Sequence, residues 1–373
     1  NLELAMAARN SGGIVLCQVE RIADYNSNDP RHVRIPGFMV DCVVEAPPEF
    51  HMQNYDSQYD PSLSGEIKIP LTNQPKLPLD EKKVVLRRAA MEFTQNSIVN
   101  LGVGMAAGVG NVANEEKIFD QIMLTVDSGV YGGVPLQGLG FGASVNYIAS
   151  VEHATQFDFI DGGGLDIACL GFAECDARGS VNASKFSGRI SGCGGFINIS
   201  QNSKKVVFLG TFTSSGLKTR IEDGKLEILE EGKYCKFVPE VSQITFSGPK
   251  AGSEHRAIFY VTERCVFALR EDGLELIEYA PGIDLERDIL EQMPFRPVVN
   301  SPAEMASVLF KSRPMGLRER LADVGIERRI EYSPTTNSLF LDFSGMRVRT
   351  SEDIEKIVSA VDDTLAQAAK RVD

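Results

Sequence analysis

Tryptophan is absent from this 373-residue chain, and histidine occurs four times. Its seven cysteines (Cys17, Cys42, Cys169, Cys175, Cys193, Cys235 and Cys265) form no C-x-x-C pair, and none stands at a zinc-binding spacing from a histidine. The sequence therefore predicts no metal site, and the thiols read as reduced and mostly buried in a cytoplasmic protein. Basic charge is also in short supply. A net charge of −13 repels nucleic-acid phosphates and anionic lipid over the average surface, and leaves room only for a local basic pocket. No membrane span is visible. The longest uncharged stretch, Ser128 to Val151, is broken by glycines, Pro135, Gln137 and Asn146, and reads as a loop and a turn followed by a helix. No signal peptide is apparent, and the absence of an initiator Met before Asn1 leads us to expect that the chain begins inside a longer gene product.

What is present is ordinary in bulk: 43% hydrophobic and 24% charged residues, over a length sufficient for two cores. Residues 1–46 read as helix, strand, strand, with Leu2–Arg9 amphipathic and apolar runs at Ile14–Val19 and Phe38–Val44. They look like the end of a domain whose beginning is missing, since two strands and a helix bury no core alone. Residues 47–79 are proline-rich and read as a linker. Residues 80–312 form the main predicted domain. Asp80 is an N-cap before Leu86, Ala89, Ala90 and Phe93 at helical spacing. Strands are predicted at Ile98–Asn100, Ile122–Val126 and Lys205–Thr213, with a helix near Val109–Glu116. Hairpins are predicted at Asp223-Gly224 and Asp272-Gly273, and a short helix after Asp284. This alternation predicts an α/β fold with an open, mostly parallel sheet. Residues 313–373 read as a small appended α/β unit. In it Thr350 and Asp353 form a capping box ahead of an apolar stripe at Ile354, Ile357, Val358, Val361 and Leu365, packed on the main body.

The chemistry is expected among the glycines. Gly102-Val103-Gly104, Gly129 to Gly142, Gly162-Gly163-Gly164 and Gly192-Cys193-Gly194-Gly195 are more glycine-rich loops than a folding domain needs. Glycine lets the backbone approach a ligand and leaves amides free to point at it. Two functions fit. Gly102 to Ala107 matches a G-x-G-x-x-A dinucleotide fingerprint, with Asp127 as the ribose ligand of an NAD-dependent oxidoreductase. Alternatively, Asp127, which ends a buried strand, is a nucleophile toward a thioester, with glycine amides receiving the oxyanion. Tight turns with Asp127 as a helix cap are the bland explanation of the same residues.

The segment Thr125-Val126-Asp127-Ser128-Gly129-Val130-Tyr131-Gly132-Gly133 closely resembles the active-site segment of the family I coenzyme A transferases, which include acetate, propionate and 3-oxoacid CoA-transferases. Asn100 to Gly104, Asp161 to Asp166, Ser191 to Phe196, Thr262-Glu263-Arg264 and Ala280-Pro281-Gly282 follow in the family's order. The resemblance covers residues 1 to about 312. It implies a ping-pong transfer of CoA between an acyl-CoA and a short-chain carboxylic acid through a covalent carboxylate–CoA thioester. Carried over residue by residue, Asp127 is the nucleophile, and Gly195 with Gly194 beside it is the oxyanion donor. Gly102, Val103, Gly104, Gly132, Gly133, Gly163 and Gly164 wall the CoA site. The resemblance also implies CoA as substrate, no metal, an N-terminal half that supplies a second oxyanion donor, and a homo-oligomer without nucleic-acid or membrane partners.

In one respect the chain departs from the family pattern: glutamate stands in the family where this chain has Asp127. The shorter arm withdraws the carboxylate by roughly one C–C bond length, and about one ångström of misplacement costs on the order of a hundredfold in rate. A thioesterase on the same scaffold and a non-catalytic CoA-binding protein are the neighbouring expectations.

Overall fold

The computed structural model describes the chain apart from residues 56, 74, 75, 187, 323, 324, 327, 328, 335, 344–347, 349 and 370–373. It begins with helix α1 (Leu2–Asn10) and two short strands, β1 (Leu16–Val19) and β2 (Cys42–Glu45), which pair in parallel. The expected strand at Phe38 is instead a 3-10 turn, Gly37–Met39, and β2 starts only at Cys42. Between Ala46 and Asp80 two further 3-10 turns are the only regular elements among the described residues, as the proline content requires.

The main body is a ten-stranded sheet. After helix α2 (Glu81–Ala90) come β3 (Ile98–Leu101), helix α3 (Val109–Glu115) and β4 (Met123–Val126). Then follow β5 (Val130–Tyr131), β6 (Ala149–Ser150), helix α4 (His153–Asp161), β7 (Ile167–Gly171), helix α5 (Phe196–Asn202) and β8 (Lys205–Leu209). The last four strands are β9 (Ala257–Val261), β10 (Cys265–Arg270), β11 (Gly273–Tyr279) and β12 (Val298–Glu304). Their spatial order is β12-β11-β10-β9-β8-β7-β3-β4-β5-β6. From β4 through β3, β7 and β8 to β9 every pairing is parallel. The central strands are near-continuous apolar runs such as Lys205–Leu209 and Ala257–Val261, the pattern of strands covered on both faces. The span from Ser128 to Val151 holds short strands and a 3-10 turn rather than the expected helix, which starts at His153 once the glycines end.

Helix α2 is capped by Asp80, whose carboxylate accepts the Lys83 amide at 2.9 Å. Buried from Lys83 to Ala90, α2 carries its charges inward as pairs: Lys83 to Glu115 at 2.7 Å and Arg88 to Glu92 and Glu278 at 2.8 and 2.7 Å. Arg87 donates to the carbonyls of Leu309, Lys311 and Arg313, which clamps the return of the chain onto the body. Asp223 and Gly224 both take positive φ (51° and 77°), which fits a type I′ turn in the hairpin Lys218–Glu230. The core continues past residue 312 through Leu317 and Leu321.

Farther on, strands Ile330–Ser333 and Ser338–Leu341 form a hairpin, and Thr350 and Asp353 cap the following helix Ser351–Ala369 reciprocally, at 2.9 and 3.2 Å. Ile357 and Val361 pack on this hairpin in a separate small core, not on the main body, while Ile354, Val358 and Leu365 stay exposed. All seven cysteines are free, and three of them (Cys169, Cys175 and Cys265) are buried, fewer than expected. Among the described residues no helix is long and apolar enough to cross a membrane.

Candidate active site

Strand β4 delivers Asp127. Leu124, Thr125 and Val126 are buried, and the chain then reverses through Asp127-Ser128-Gly129 into β5. Gly129 is required there: its φ is +101°, and a Cβ on it would lie 2.3 Å from the Val151 carbonyl oxygen. The turn is held from below by Gln156, which is fully buried on α4. Its Nε2 donates to Thr125 Oγ1 at 3.1 Å and its Oε1 accepts the Tyr131 hydroxyl. Ser128 Oγ donates to the Gly142 carbonyl at 2.6 Å.

Asp127 opens onto a cleft of about 560 Å³ at the carboxyl ends of the parallel strands. The chain leaves β3 toward β4 on one side and leaves β7 toward β8 on the other, so the cleft lies at a topological switch point, where open α/β sheets bind ligands. Its floor is the loop Gly102-Val103-Gly104 after β3, with Gly171 and Phe172 after β7 and Gly210 after β8. Ser191 to Phe196, Phe141 and Phe186 also line it. Gly195 lies against the carboxylate: a Cβ placed on it would stand 3.2 Å from Asp127 Oδ2 and 2.8 Å from Phe157 Cζ. The amides of Gly194 and Gly195 meet no protein acceptor among the described residues. A free donor on the residue against the carboxylate, with a second on the residue before it, suits a tetrahedral oxyanion formed there.

Burial pushes the Asp127 carboxyl above the usual carboxylate range. The positive charge of His153 and the amides of Asp127 and Ser128 pull in the other direction without prevailing. His153 opens α4, with its ring centroid 4.8 Å from that of Phe157. The second charged group lining the cleft is Lys236, whose ammonium is pushed down by burial and supported by Glu263.

Of the residues singled out in the sequence, Asp127, Gly102, Val103, Gly104, Gly194 and Gly195 come together here. Gly132 and Gly133 do not line the cleft. They turn the chain behind Asp127, where a Cβ on Gly133 would fall 2.1 Å from the Val145 carbonyl oxygen. Gly163 and Gly164 lie at the opposite end of the sheet. They terminate α4 ahead of β7, and their amides donate to Ile160 and Phe159 carbonyls at 2.9 and 3.0 Å. Their glycine requirement is a helix stop, not a ligand. Sequence reasoning missed Lys236, Gln156, His153 and the aromatic walls, because each is a single residue with no local pattern around it. No metal-holding group of His, Cys, Asp and Glu occurs among the described residues.

No protein-family model matches the chain. It is 45% identical over 316 residues to the acetate CoA-transferase YdiF of Escherichia coli (strain K12), which covers 84% of this chain and 59% of that protein. To the caffeate CoA-transferase of Acetobacterium woodii it is 45% identical over 323 residues, covering 85% of this chain and 62% of the relative. It superposes on the crystal structure of the acyl-CoA transferase YdiF from E. coli O157:H7 in a thioester complex with CoA, with a TM-score of 0.77. That match has 43% identity and covers 84% of this chain and 59% of the other. The chain thus spans about three fifths of the length of the curated relatives it matches. With this identity along most of its length and this superposition in three dimensions, the chain belongs to the family I coenzyme A transferases.

Proposed function

We propose that this chain carries the nucleophile of an enzyme that moves coenzyme A from an acyl-CoA to a carboxylic acid. The observation that carries this reading is the Asp127 carboxylate at the mouth of the cleft, directly against Gly195. A carboxylate oxygen of Asp127 attacks the thioester carbonyl, and the tetrahedral oxyanion rests on the Gly194 and Gly195 amides. Collapse expels the CoA thiolate and leaves a mixed aspartyl–acyl anhydride. The thiolate then attacks Asp127 Cγ, which releases the first carboxylic acid and forms an aspartyl–CoA thioester. A second carboxylate repeats both steps in reverse and leaves as a new acyl-CoA. Burial serves this chemistry, since a partly desolvated carboxylate is a stronger nucleophile once ionised.

The segments by which the relatives exceed this chain are proposed to complete the site, and the assembly is proposed to be a homo-oligomer. Free thiols fit a reducing, cytoplasmic setting. A non-catalytic CoA-binding role is the second reading, favoured by Asp127 itself, one methylene shorter than the family glutamate. NAD as ligand is the third, open to direct titration.

The test is the intact mass of the full-length protein after incubation with an acyl-CoA, beside Asp127→Glu and Asp127→Asn. Gain of one CoA less one water on the parent, absent from Asp127→Asn, supports transfer. Gain on Asp127→Glu alone favours the non-catalytic reading, and no gain on any of the three overturns covalent transfer.

A further inference from the structure

Among the described residues that line the cleft, Asp127 and Lys236 are the only charged ones. Lys236 is not held there by accident of a mobile loop. Its amide donates to the Phe212 carbonyl at 3.1 Å, and its carbonyl accepts the Cys175 amide at 2.8 Å. The ammonium reaches back over the ends of β7 and β8. It lies 2.8 Å from where a Cβ on Gly210 would stand, and 5.3 Å from the centroid of the Phe172 ring. A side chain at 210 would displace the ammonium from this position.

Its hydrogen bonding is incomplete. An ammonium carries three donors, and among the described residues the one acceptor for them is the Phe172 carbonyl oxygen at 3.4 Å, at the outer limit of a hydrogen bond. Glu263 is the nearest supporting charge, but its carboxylate is taken by the Phe212 amide at 2.8 Å and by Arg264 Nε at 2.7 Å. The Phe172 ring lies beside the ammonium, and the cleft that Lys236 lines is largely apolar, with Leu170, Phe186, Phe196 and Leu209 among its walls. A cation kept in such a place without a close acceptor costs stability that a purely structural lysine would not need to lose.

We propose that Lys236 selects the acyl group: it binds an oxygen acceptor, a carboxylate or a phenol, at the end of the substrate remote from the thioester. The proposal rests on the transferase reading and names its substrate class. The spacing supports it. Phe172 ends the second strand over from Asp127 and Gly210 the third, so the two charges stand about 10 to 14 Å apart at strand spacing. With a hydrogen bond of about 2.8 Å at the far end and about 3 Å between the Asp127 carboxylate and the thioester carbon, the acyl group spans roughly 4 to 8 Å, in a cleft lined by aromatic rings.

The test compares matched acyl-CoAs on the full-length protein: adipyl-CoA against hexanoyl-CoA, and 4-hydroxycinnamoyl-CoA against cinnamoyl-CoA. The first pair reads a carboxylate and the second a phenol. In one pair or both, the parent is expected to prefer the oxygen-bearing member by about ten- to hundredfold in kcat/KM, the range for a hydrogen bond to a charged group. Lys236→Met and Lys236→Gln are expected to bring that ratio toward one, and Lys236→Arg to keep most of it. A parent ratio near one in both pairs overturns the proposal, as does a ratio that Lys236→Gln leaves unchanged. If no acyl-CoA is turned over, the transferase reading fails, and calorimetric affinities for the same pairs decide the role of Lys236. A preference that Lys236→Gln abolishes sustains the lysine's role, and equal affinities overturn it.

Discussion

Alanine at Gly195 isolates the chemistry from the fold. Gly195 has φ −80° and ψ −2°, a conformation any residue adopts, so the added methyl brings no backbone strain. What it meets is the site: Phe157 Cζ at 2.8 Å and Asp127 Oδ2 at 3.2 Å. Carbon atoms settle about 3.5 to 4.0 Å apart, so the loop and the Phe157 ring must part by roughly 0.7 to 1.2 Å. The His153 ring packed against Phe157 resists that movement, and the loop gives instead. A displacement of about 1 Å between nucleophile and oxyanion donors costs on the order of a hundredfold in rate. The unfolded chain meanwhile loses freedom with alanine, worth about 0.4 to 1 kcal/mol in favour of the fold, which offsets part of the strain. We therefore expect Gly195→Ala to form the CoA adduct 30- to 100-fold more slowly (about one hundredfold per ångström) while its Tm moves by no more than about 3 °C. Single-turnover intact-mass kinetics and a thermal scan measure both. An adduct rate within about threefold of the parent would refute the proximity of Gly195 to the reacting carboxylate.

Gly129→Ala should show the reverse pattern, because φ +101° and a carbonyl oxygen 2.3 Å away bring strain to the backbone itself. A loss of about 2 to 4 kcal/mol in urea unfolding is expected, and an unchanged midpoint contradicts the turn. Gln156→Leu leaves the Tyr131 hydroxyl without its acceptor and removes a donor from Thr125, at a cost of roughly 1 to 3 kcal/mol, read by the same titration. Arg264, wholly buried, pairs with Glu263 at 2.7 Å and Glu231 at 2.5 Å. Arg264→Met leaves the fully buried Glu263 carboxylate without its cation and is expected to cost about 3 to 5 kcal/mol; a loss below 1 kcal/mol rejects the pair as a structural element. With the Asp127 carboxyl raised by burial, the native protein holds that proton more tightly than the unfolded chain. Stability is therefore lost as pH climbs from about 4 through the native value, while adduct formation gains over the same window. Asp127→Asn should melt higher than the parent above that window and equal to it below; equal melting throughout would show that burial does not perturb the group.

Of the strands that build the cleft, β3, β4 and β8 were readable because buried parallel strands are short apolar runs, and Ile122–Val126 ending in Asp127 is such a run; β7 (Ile167–Gly171) was not among the predicted strands. Asp80 and Thr350 were readable as caps because a side-chain oxygen followed by an amphipathic turn is a local signal. Gly163 and Gly164 show the limit of that logic. A glycine that stops a helix and one that admits a ligand have the same letter, and only topology places one at each end of the sheet. Lys236 and Gln156 act through neighbours such as Phe172 and Thr125, far away along the chain, and no local pattern announces such meetings. The apolar stripe after Asp353 was legible, but not that it would split between a small separate core and solvent.

The parallel pairing of β3 with β7, and of β7 with β8, has a consequence for how the protein folds. Parallel neighbours need a crossover between them, so β3 waits for β4 and α4 to pass before it gains its second partner. The groups around the cleft run from Gly102 to Lys236, and no early, local structure contains both. Pairings of this sequence separation form late and slowly. A ligand in the cleft then has nothing to hold in the folding transition state. Its stabilisation falls on the unfolding rate, so a ligand bound in the cleft prolongs the life of the folded protein without hastening its formation.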